Sequence, residues 1–154
     1  MYKYNFLSIV LVSVLTAGCG MLWEYREIRE LPKMTWSNDN VLDFEVEIGS
    51  DGNYDVIVMF RHVHGFPYPN VPITLTISGD DLSVSEEKII PVIDEKTRDY
   101  LGEGAVDIWD VEFTAIRNLH MRPGKYKVSI APAFERDELQ LVMEVGLMIK
   151  ASEE

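Results

Sequence analysis

The sequence has little that could cross-link the chain or attract nucleic acid. Its 154 residues include one cysteine, Cys19, so a single chain cannot form an internal disulfide bond. Lysine and arginine number 14 against 26 aspartates and glutamates, which gives a net charge of −12 at pH 7. Sequence-independent binding to DNA or RNA depends on basic side chains that neutralise phosphates. We therefore expect no nucleic-acid partner.

Long hydrophobic runs are also absent, except for one near the N-terminus. An apolar run at 6–15 follows Lys3, and the small residues Ala17 and Gly18 come after it. This three-part layout is typical of a secretory signal peptide. The run is shorter than the roughly 20 residues that span a bilayer, so we expect no transmembrane anchor. Removal of residues 1–18 takes away Lys3 and no acid, which makes the net charge −13.

Motifs for catalysis are missing as well. The sequence contains no Gly-x-Ser-x-Gly nucleophile elbow and no phosphate-binding loop. His62 and His64 lie two residues apart on one predicted strand, and His120 is a possible third metal ligand, although nothing in the sequence brings it close to the other two. The alternative is that these histidines make local hydrogen bonds at strand ends. We expect a protein that is not an enzyme and that holds no metal or cofactor.

The remaining chain is patterned as a series of short strands. In Leu42–Ile48 apolar and acidic residues alternate, so one strand face is buried and the other is wet. The Asp-Gly turn at 49–53 predicts a hairpin with Tyr54–Val63, whose two apolar faces indicate a central strand. The segment at 24–28 either forms a first edge strand or stays extended. Further strands are predicted at 73–78, 87–93, 109–116, 126–130 and 141–149.

Short strands separated by Gly, Pro and Asp turns, each with one apolar face, are typical of an all-β fold. We expect an antiparallel β-sandwich of the jelly-roll or immunoglobulin-like kind, with about seven or eight strands. The segment at 87–93 contains Pro91 and should lie at a sheet edge, because proline cannot donate a ladder hydrogen bond. In the last strand Leu141, Met143, Val145, Leu147 and Ile149 should complete the core.

Aromatic residues near turns are the candidates for a binding surface. Such rings either face sugars and partner proteins or serve as buried packing anchors. The loop Phe66–Asn70 is the best surface candidate, because Pro67 and Pro69 hold it extended and limit the entropy lost on binding. The aromatics near turns also include Tyr54 and Tyr100, and the candidate binding residues are Trp36, Phe66, Tyr68 and Trp109.

The junction after the apolar run resembles the lipobox of bacterial lipoproteins, with two small residues directly before Cys19. In that family the cysteine thiol takes a diacylglycerol, the signal is cut before it and the new amine is acylated. The alternative is that Cys19 is a small apolar residue at the end of an ordinary signal. Two or three acyl chains hold a protein on a membrane, whereas one binds only marginally. The resemblance implies a signal peptide at 1–18, a lipidated tether at 19–23 and a sandwich domain at 24–154.

Several segments, taken in order with the lipobox, resemble the gliding-motility lipoprotein family GldH of Bacteroidetes. They are Trp36 ahead of Phe44–Ile48, Phe66–Val71 leading to Leu75, Leu101–Ile108, Gly124–Tyr126 leading to Ile130, Ala133–Arg136 and Glu144–Ile149. The family has no established catalytic residues. Its members are envelope lipoproteins needed for gliding and linked to type IX secretion.

This resemblance implies an accessory lipoprotein of the outer membrane that docks other envelope proteins. The alternative is a module that binds glycans or another small ligand through its aromatic loops. Surface-exported Bacteroidetes lipoproteins usually resemble one another in an acidic cluster behind the cysteine, and the stretch at 20–23 has none. We therefore expect the domain to face the periplasm.

Overall fold

The computed structural model describes residues 24–153, most of them in antiparallel β-strands. The predicted signal peptide, Cys19 and the tether lie outside the described residues. No helix in the described part is long and apolar enough to cross a bilayer. One 3₁₀ turn spans Pro32–Met34. The strands are β1 (Tyr25–Glu30), β2 (Thr35–Ser37), β3 (Leu42–Ile48), β4 (Gly52–Val63), β5 (Asn70–Ser78), β6 (Ser83–Pro91), β7 (Glu103–Ala105), β8 (Ile108–Met121), β9 (Gly124–Pro132), β10 (Glu138–Gln140) and β11 (Val142–Ala151).

Two sheets pack face to face with jelly-roll connectivity. One has the order β1-β11-β4-β8-β7 and the other β3-β9-β5-β6, while β2 and β10 form a small ribbon. The chain passes repeatedly from one sheet to the other, as in a jelly roll of eight strands. The predicted antiparallel sandwich is confirmed. The strand count is higher than expected because β2, β7 and β10 have three residues each, too few to show an alternating pattern.

The predicted hairpin between the third and fourth strands is wrong. β3 pairs with β9, whereas β4 pairs with β11 and β8 in the opposite sheet. The Asp-Gly turn therefore carries the chain across the sandwich instead of back along the same sheet. Both strands have an apolar face, and each buries it against the other sheet within one core. A local turn motif does not decide whether β3 and β4 pair in one sheet or lie in opposite sheets, because the alternation of apolar and polar residues is the same in both arrangements.

The central position of β4 is confirmed, and its two faces have different roles. Its inward residues enter the main core, which also contains the apolar side chains of β3, β5 and β9. Its outward residues Ile57 and Met59 form a small second cluster with Met148 and Ile28 on the outer face of the five-stranded sheet. Burial on both faces explains the continuous apolar run of this strand.

The sheet edges agree with the sequence pattern. β1 is an edge strand of the five-stranded sheet and β6, ending at Pro91, is an edge of the other. Tyr25 donates to Glu27, which pairs with Arg29, and Arg29 donates to the carbonyl oxygen of Asp43 in the facing sheet at 3.0 Å. Charged groups of this kind on an edge strand discourage strand-to-strand association.

The last strand departs from its predicted face at the beginning. Val145, Leu147 and Ile149 enter the core as expected. A register shift between Val142 and Glu144 moves the chain by one place, so that Val142 is buried and Met143 is only partly buried. The prediction for Met143 is wrong for this reason, whereas Leu141, which precedes the strand, is partly buried and packs against the core.

The point of chain entry defines two ends of the sandwich. The amide of Glu24 donates to the carbonyl of Ile149 at 2.8 Å, and its carboxylate accepts from the amide of Gly49 at 3.1 Å. We call this end, which also holds the β8–β9 turn and Ser152, the proximal end. The opposite end holds the end of β4, the β7–β8 hairpin and the starts of β5 and β11. We call it the distal end.

Candidate functional site

Two of the candidate binding residues are core residues. Trp36 and Phe66 are 0% and 1% exposed. The Trp36 indole donates to the carbonyl of Asn40 at 3.0 Å, and its ring lies edge-on to Phe134. The amide of Phe66 donates to the carbonyl of Val63 at 3.2 Å, which turns the loop inward. The expectation that these two rings face a ligand is corrected, because burying them in the core removes their apolar surface from water.

The other two candidates are partly buried. Tyr68 packs edge-on against Phe66 with 5.4 Å between ring centroids, and the Arg136 guanidinium lies 4.6 Å from its ring centre. Trp109 faces Tyr100 at 5.2 Å. Tyr68, with Phe134 and Arg136, borders an open groove of about 650 Å³. The structure therefore gathers Phe66, Tyr68 and Trp109 into one aromatic cluster at the distal end, while Trp36 packs separately beneath Phe134.

His62 lies at the centre of this aromatic cluster. It is fully buried between Phe60, Phe66 and Tyr100, and its Nδ1 lies 3.1 Å from the carbonyl oxygen of Val63. Desolvation by burial lowers the pKa of its imidazole, which favours the neutral ring. Nε2 of His62 and Nε1 of Trp109, its partner across the strands, have no hydrogen-bond partner among residues 24–153.

The three histidines do not come together. His64 lies just beyond the end of β4 and packs against Tyr100, whereas His120 lies at the proximal end with its Nε2 3.5 Å from Asp51. In the part of the chain that the structure describes, no three His, Cys, Asp or Glu side chains are placed to hold a metal ion. The Tyr100 hydroxyl accepts from the amide of Gly65 at 2.8 Å and donates to the carbonyl of Phe66 at 3.1 Å, so it holds the loop after β4 in place.

An ion-paired hollow lies on the outer face of the five-stranded sheet. Arg61 donates from Nε to Asp110 at 2.6 Å and from Nη1 to Glu144 at 2.8 Å. The hydrogen bonding that Arg61 donates to the Asp110 carboxylate is the main reason why the pKa of Arg61 is raised. The floor of this hollow of about 140 Å³ includes Met59 and Gly146. A Cβ at Gly146 would lie 2.7 Å from the carbonyl oxygen of Glu27 and 2.8 Å from the Met59 methyl, so glycine allows β1 and the Met59 side chain to pack closely here.

The β7–β8 hairpin projects from the distal end with an exposed apolar tip. Val106 is 97% exposed and Ile108 is also exposed. Ala105 pairs with Ile108, so Val106 and Asp107 form a two-residue turn. These aliphatic residues are not among the aromatic residues from which the sequence predicts a binding surface. The pair of glycines at 102 and 104 ahead of Val106 is the local signal that could have located the hairpin.

Exposed apolar residues are confined to the distal half of the described domain. Val106 and Ile108 belong to the distal hairpin, and Ile89 lies near the distal end of β6. Met34 follows the distal end of β1, and Val41 directly precedes the distal end of β3. Among residues 24–153, the exposed large hydrophobic residues are Met34, Val41, Ile89, Val106 and Ile108. Their placement makes the distal end the candidate interaction surface.

A family model described as GldH lipoprotein matches residues 24–149. The chain belongs to the GldH lipoprotein family. The match covers nearly all of the described domain, and it confirms the resemblance found in the sequence. Membership in a lipoprotein family implies anchoring to a membrane of the envelope through lipid.

Other comparisons add little to this family assignment. No curated protein sequence matches this GldH-family chain. The structure of TmCBM61 in complex with beta-1,4-galactotriose is similar over 86% of this chain and 90% of that chain, with 15% identity and a TM-score of 0.36. The Eiger TNF structure from S. frugiperda is similar over 71% and 66% of the two chains, with 13% identity and a TM-score of 0.32. Likenesses this weak say nothing about what the GldH-family chain binds.

Proposed function

We propose that this GldH-family lipoprotein is a non-enzymatic accessory protein of the outer membrane that binds another envelope protein through its distal end. The single observation that supports this proposal is the confinement of exposed apolar residues to the end of the domain opposite the chain entry. Apolar side chains grouped on one region of a soluble domain commonly mark an interaction site.

The dimensions of the anchor support the use of that end as the one that meets a partner away from the membrane. A lipid on Cys19 leaves a tether of five residues, which reaches about 17 Å when fully extended. β4 runs from Val56, level with the chain entry, to Val63 at the distal end, which is roughly 24 Å at about 3.4 Å per residue. In this proposal the proximal end stays near the bilayer, and the distal end extends away from it on the side that the domain faces, which we expect to be the periplasm.

The biological setting in this proposal comes from the family. GldH-family members are linked to gliding and type IX secretion, so we expect the partner among the proteins of that machinery. Affinity capture of the tagged full-length protein from envelopes of its native organism tests this, with Cys19→Ala as the unanchored control. If no protein is enriched over that control, the proposal is wrong.

Two further measurements test the anchor and its orientation. Palmitate labelling should be lost in Cys19→Ala, and label that persists in this variant would contradict lipidation at Cys19. Protease added to intact cells should leave the domain uncut if it faces the periplasm. Cleavage without prior lysis would place the domain on the cell surface instead.

A glycan- or small-ligand-binding module is the alternative function, and the groove beside Tyr68 is the observation that favours it. The groove is open and lies next to a partly buried aromatic ring. Against it, Arg136 already covers that ring at 4.6 Å, so a sugar would have to displace the guanidinium to stack there. A glycan array with wild type and Tyr68→Ala separates the two functions, since a signal lost in the variant would favour the alternative.

A further inference from the structure

We propose that the β7–β8 hairpin is the part of the distal end that binds the partner, and that the partner presents an apolar pocket flanked by lysine or arginine. This inference rests on the proposed function, because it takes the occupant of the distal end to be a protein. Two observations carry it. One is the conformation of Val106 at the hairpin tip, and the other is the charge around that tip.

Val106 stands where the backbone favours glycine. Its φ is 58°, at the first position of the two-residue turn between β7 and β8. Hairpin turns with positive φ at this position prefer glycine, and a β-branched residue there is a conformational outlier. The side chain is 97% exposed, so packing inside the domain does not offset the cost. A contact made outside the domain accounts for a valine at this site.

The domain holds this hairpin in one orientation. A Cβ at Gly104 would lie 2.8 Å from the Trp109 ring, and a Cβ at Gly102 would lie 2.1 Å from the carbonyl oxygen of Asp110. The amide of His64 donates to the carbonyl of Asp107 at 2.7 Å, which ties the tip to the end of β4. A contact element that is ordered before binding loses less conformational entropy when it binds.

The charge around the tip decides the chemistry of the partner. Residues 99–116 contain five acids and no lysine or arginine. Asp110 is paired with Arg61, and Glu103 and Glu112 border the same hollow as Arg61 and Arg26. Asp107, in the turn itself, makes no ion pair within residues 24–153. Acids around an apolar tip are complementary to a pocket with a basic rim. A second copy of the chain would bring like charges together, and an anionic lipid surface would also repel the tip.

In-cell cross-linking tests which part of the domain makes the contact. A photo-reactive phenylalanine analogue replaces Val106 in the full-length protein, and a matched variant carries it at Ile89, which is 56% exposed on β6. We expect a discrete adduct with one protein from position 106 and none from position 89. Mass spectrometry identifies that protein, which is then purified for binding measurements.

Binding of the purified partner tests separately whether Val106 makes the apolar contact and whether the acids around it contribute to the affinity. Val106→Gly should weaken binding about tenfold, because burial of a valine side chain is worth about that factor in affinity. The same change should leave the thermal midpoint of the domain unchanged or higher, since it relieves the turn. Glu103→Lys combined with Glu112→Lys should also weaken binding, and added salt should reduce the wild-type affinity. Asn53→Ser, at an exposed position of the proximal end, is the control and should change nothing.

Several other results would contradict the inference. An adduct with lipid or with a second copy would overturn the inference, as would a partner whose affinity ignores Val106→Gly or the charge reversals. Cross-linking from Ile89 but not from Val106 would reject the hairpin and leave the proposed function standing. The absence of a protein adduct at both sites, together with an empty affinity capture, would reject both.

Discussion

Replacement of Phe66 by alanine separates the two interpretations of the loop after β4. The side chain is 1% exposed and contacts the rings of Phe60, His62 and Tyr68 with centroid distances of 5.2–5.5 Å. Truncation of a buried phenylalanine costs about 3–5 kcal/mol in transfer and cavity terms. We therefore expect Phe66→Ala to lower the free energy of unfolding by about that amount, which corresponds to a drop of roughly 10–20 °C in melting temperature.

Urea denaturation of the purified protein, followed by tryptophan fluorescence, measures this loss. Tyr68→Ala is the matched control, because its ring is partly exposed on the same loop and its loss should cost about 1 kcal/mol. A loss below about 1 kcal/mol for Phe66→Ala would refute the placement of the ring in the core. Loss of ligand binding with unchanged stability would restore the interpretation of Phe66 as a surface ring.

Three further changes test other parts of the structure. Burial lowers the pKa of His62, so as pH falls the unfolded chain takes up a proton before the folded one does. The free energy of unfolding should therefore decrease as pH drops below about 6.5. In His62→Phe the free energy of unfolding should depend less on pH over this range. Gly146→Ala puts a Cβ 2.7 Å from the carbonyl oxygen of Glu27 and should cost about 1–3 kcal/mol by thermal melting. Gly52→Ala, whose Cβ meets nothing closer than the Tyr54 ring at 3.6 Å, should cost far less. Asp55→Ala removes two hydrogen bonds and should cost about 1–3 kcal/mol in urea denaturation; an unchanged midpoint would contradict their role.

Strands with a complete periodic pattern were predictable from the sequence. β3 alternates over seven residues, and its burial follows that alternation at every position. β4 is apolar on both faces, which is the pattern of a strand covered on both sides, and it lies at the centre of its sheet. Three-residue strands such as β7 were missed, because they are too short for a period and form only when a neighbouring strand supplies their hydrogen bonds.

The candidate site was predicted less well than the fold. Aromatic residues near turns indicated a surface, yet Trp36 and Phe66 are buried, since a large ring near a turn gains most by packing beneath it. Val106 was not among the predicted binding residues, because its exposure depends on β7 pairing with β8 and its positive φ depends on the length of that turn. Both properties arise only after the hairpin forms.

The sequence by itself determined the class of the fold, the central and edge positions of its longer strands, the acidic charge and the family. These depend on periodicity, composition and residue order, which are local or additive properties of the chain. Only the tertiary structure decided that β3 and β4 belong to opposite sheets, that the aromatic rings turn inward and that exposed apolar residues collect opposite the chain entry. Those features depend on which strand edges pair, and many pairings satisfy the same alternation of apolar and polar residues.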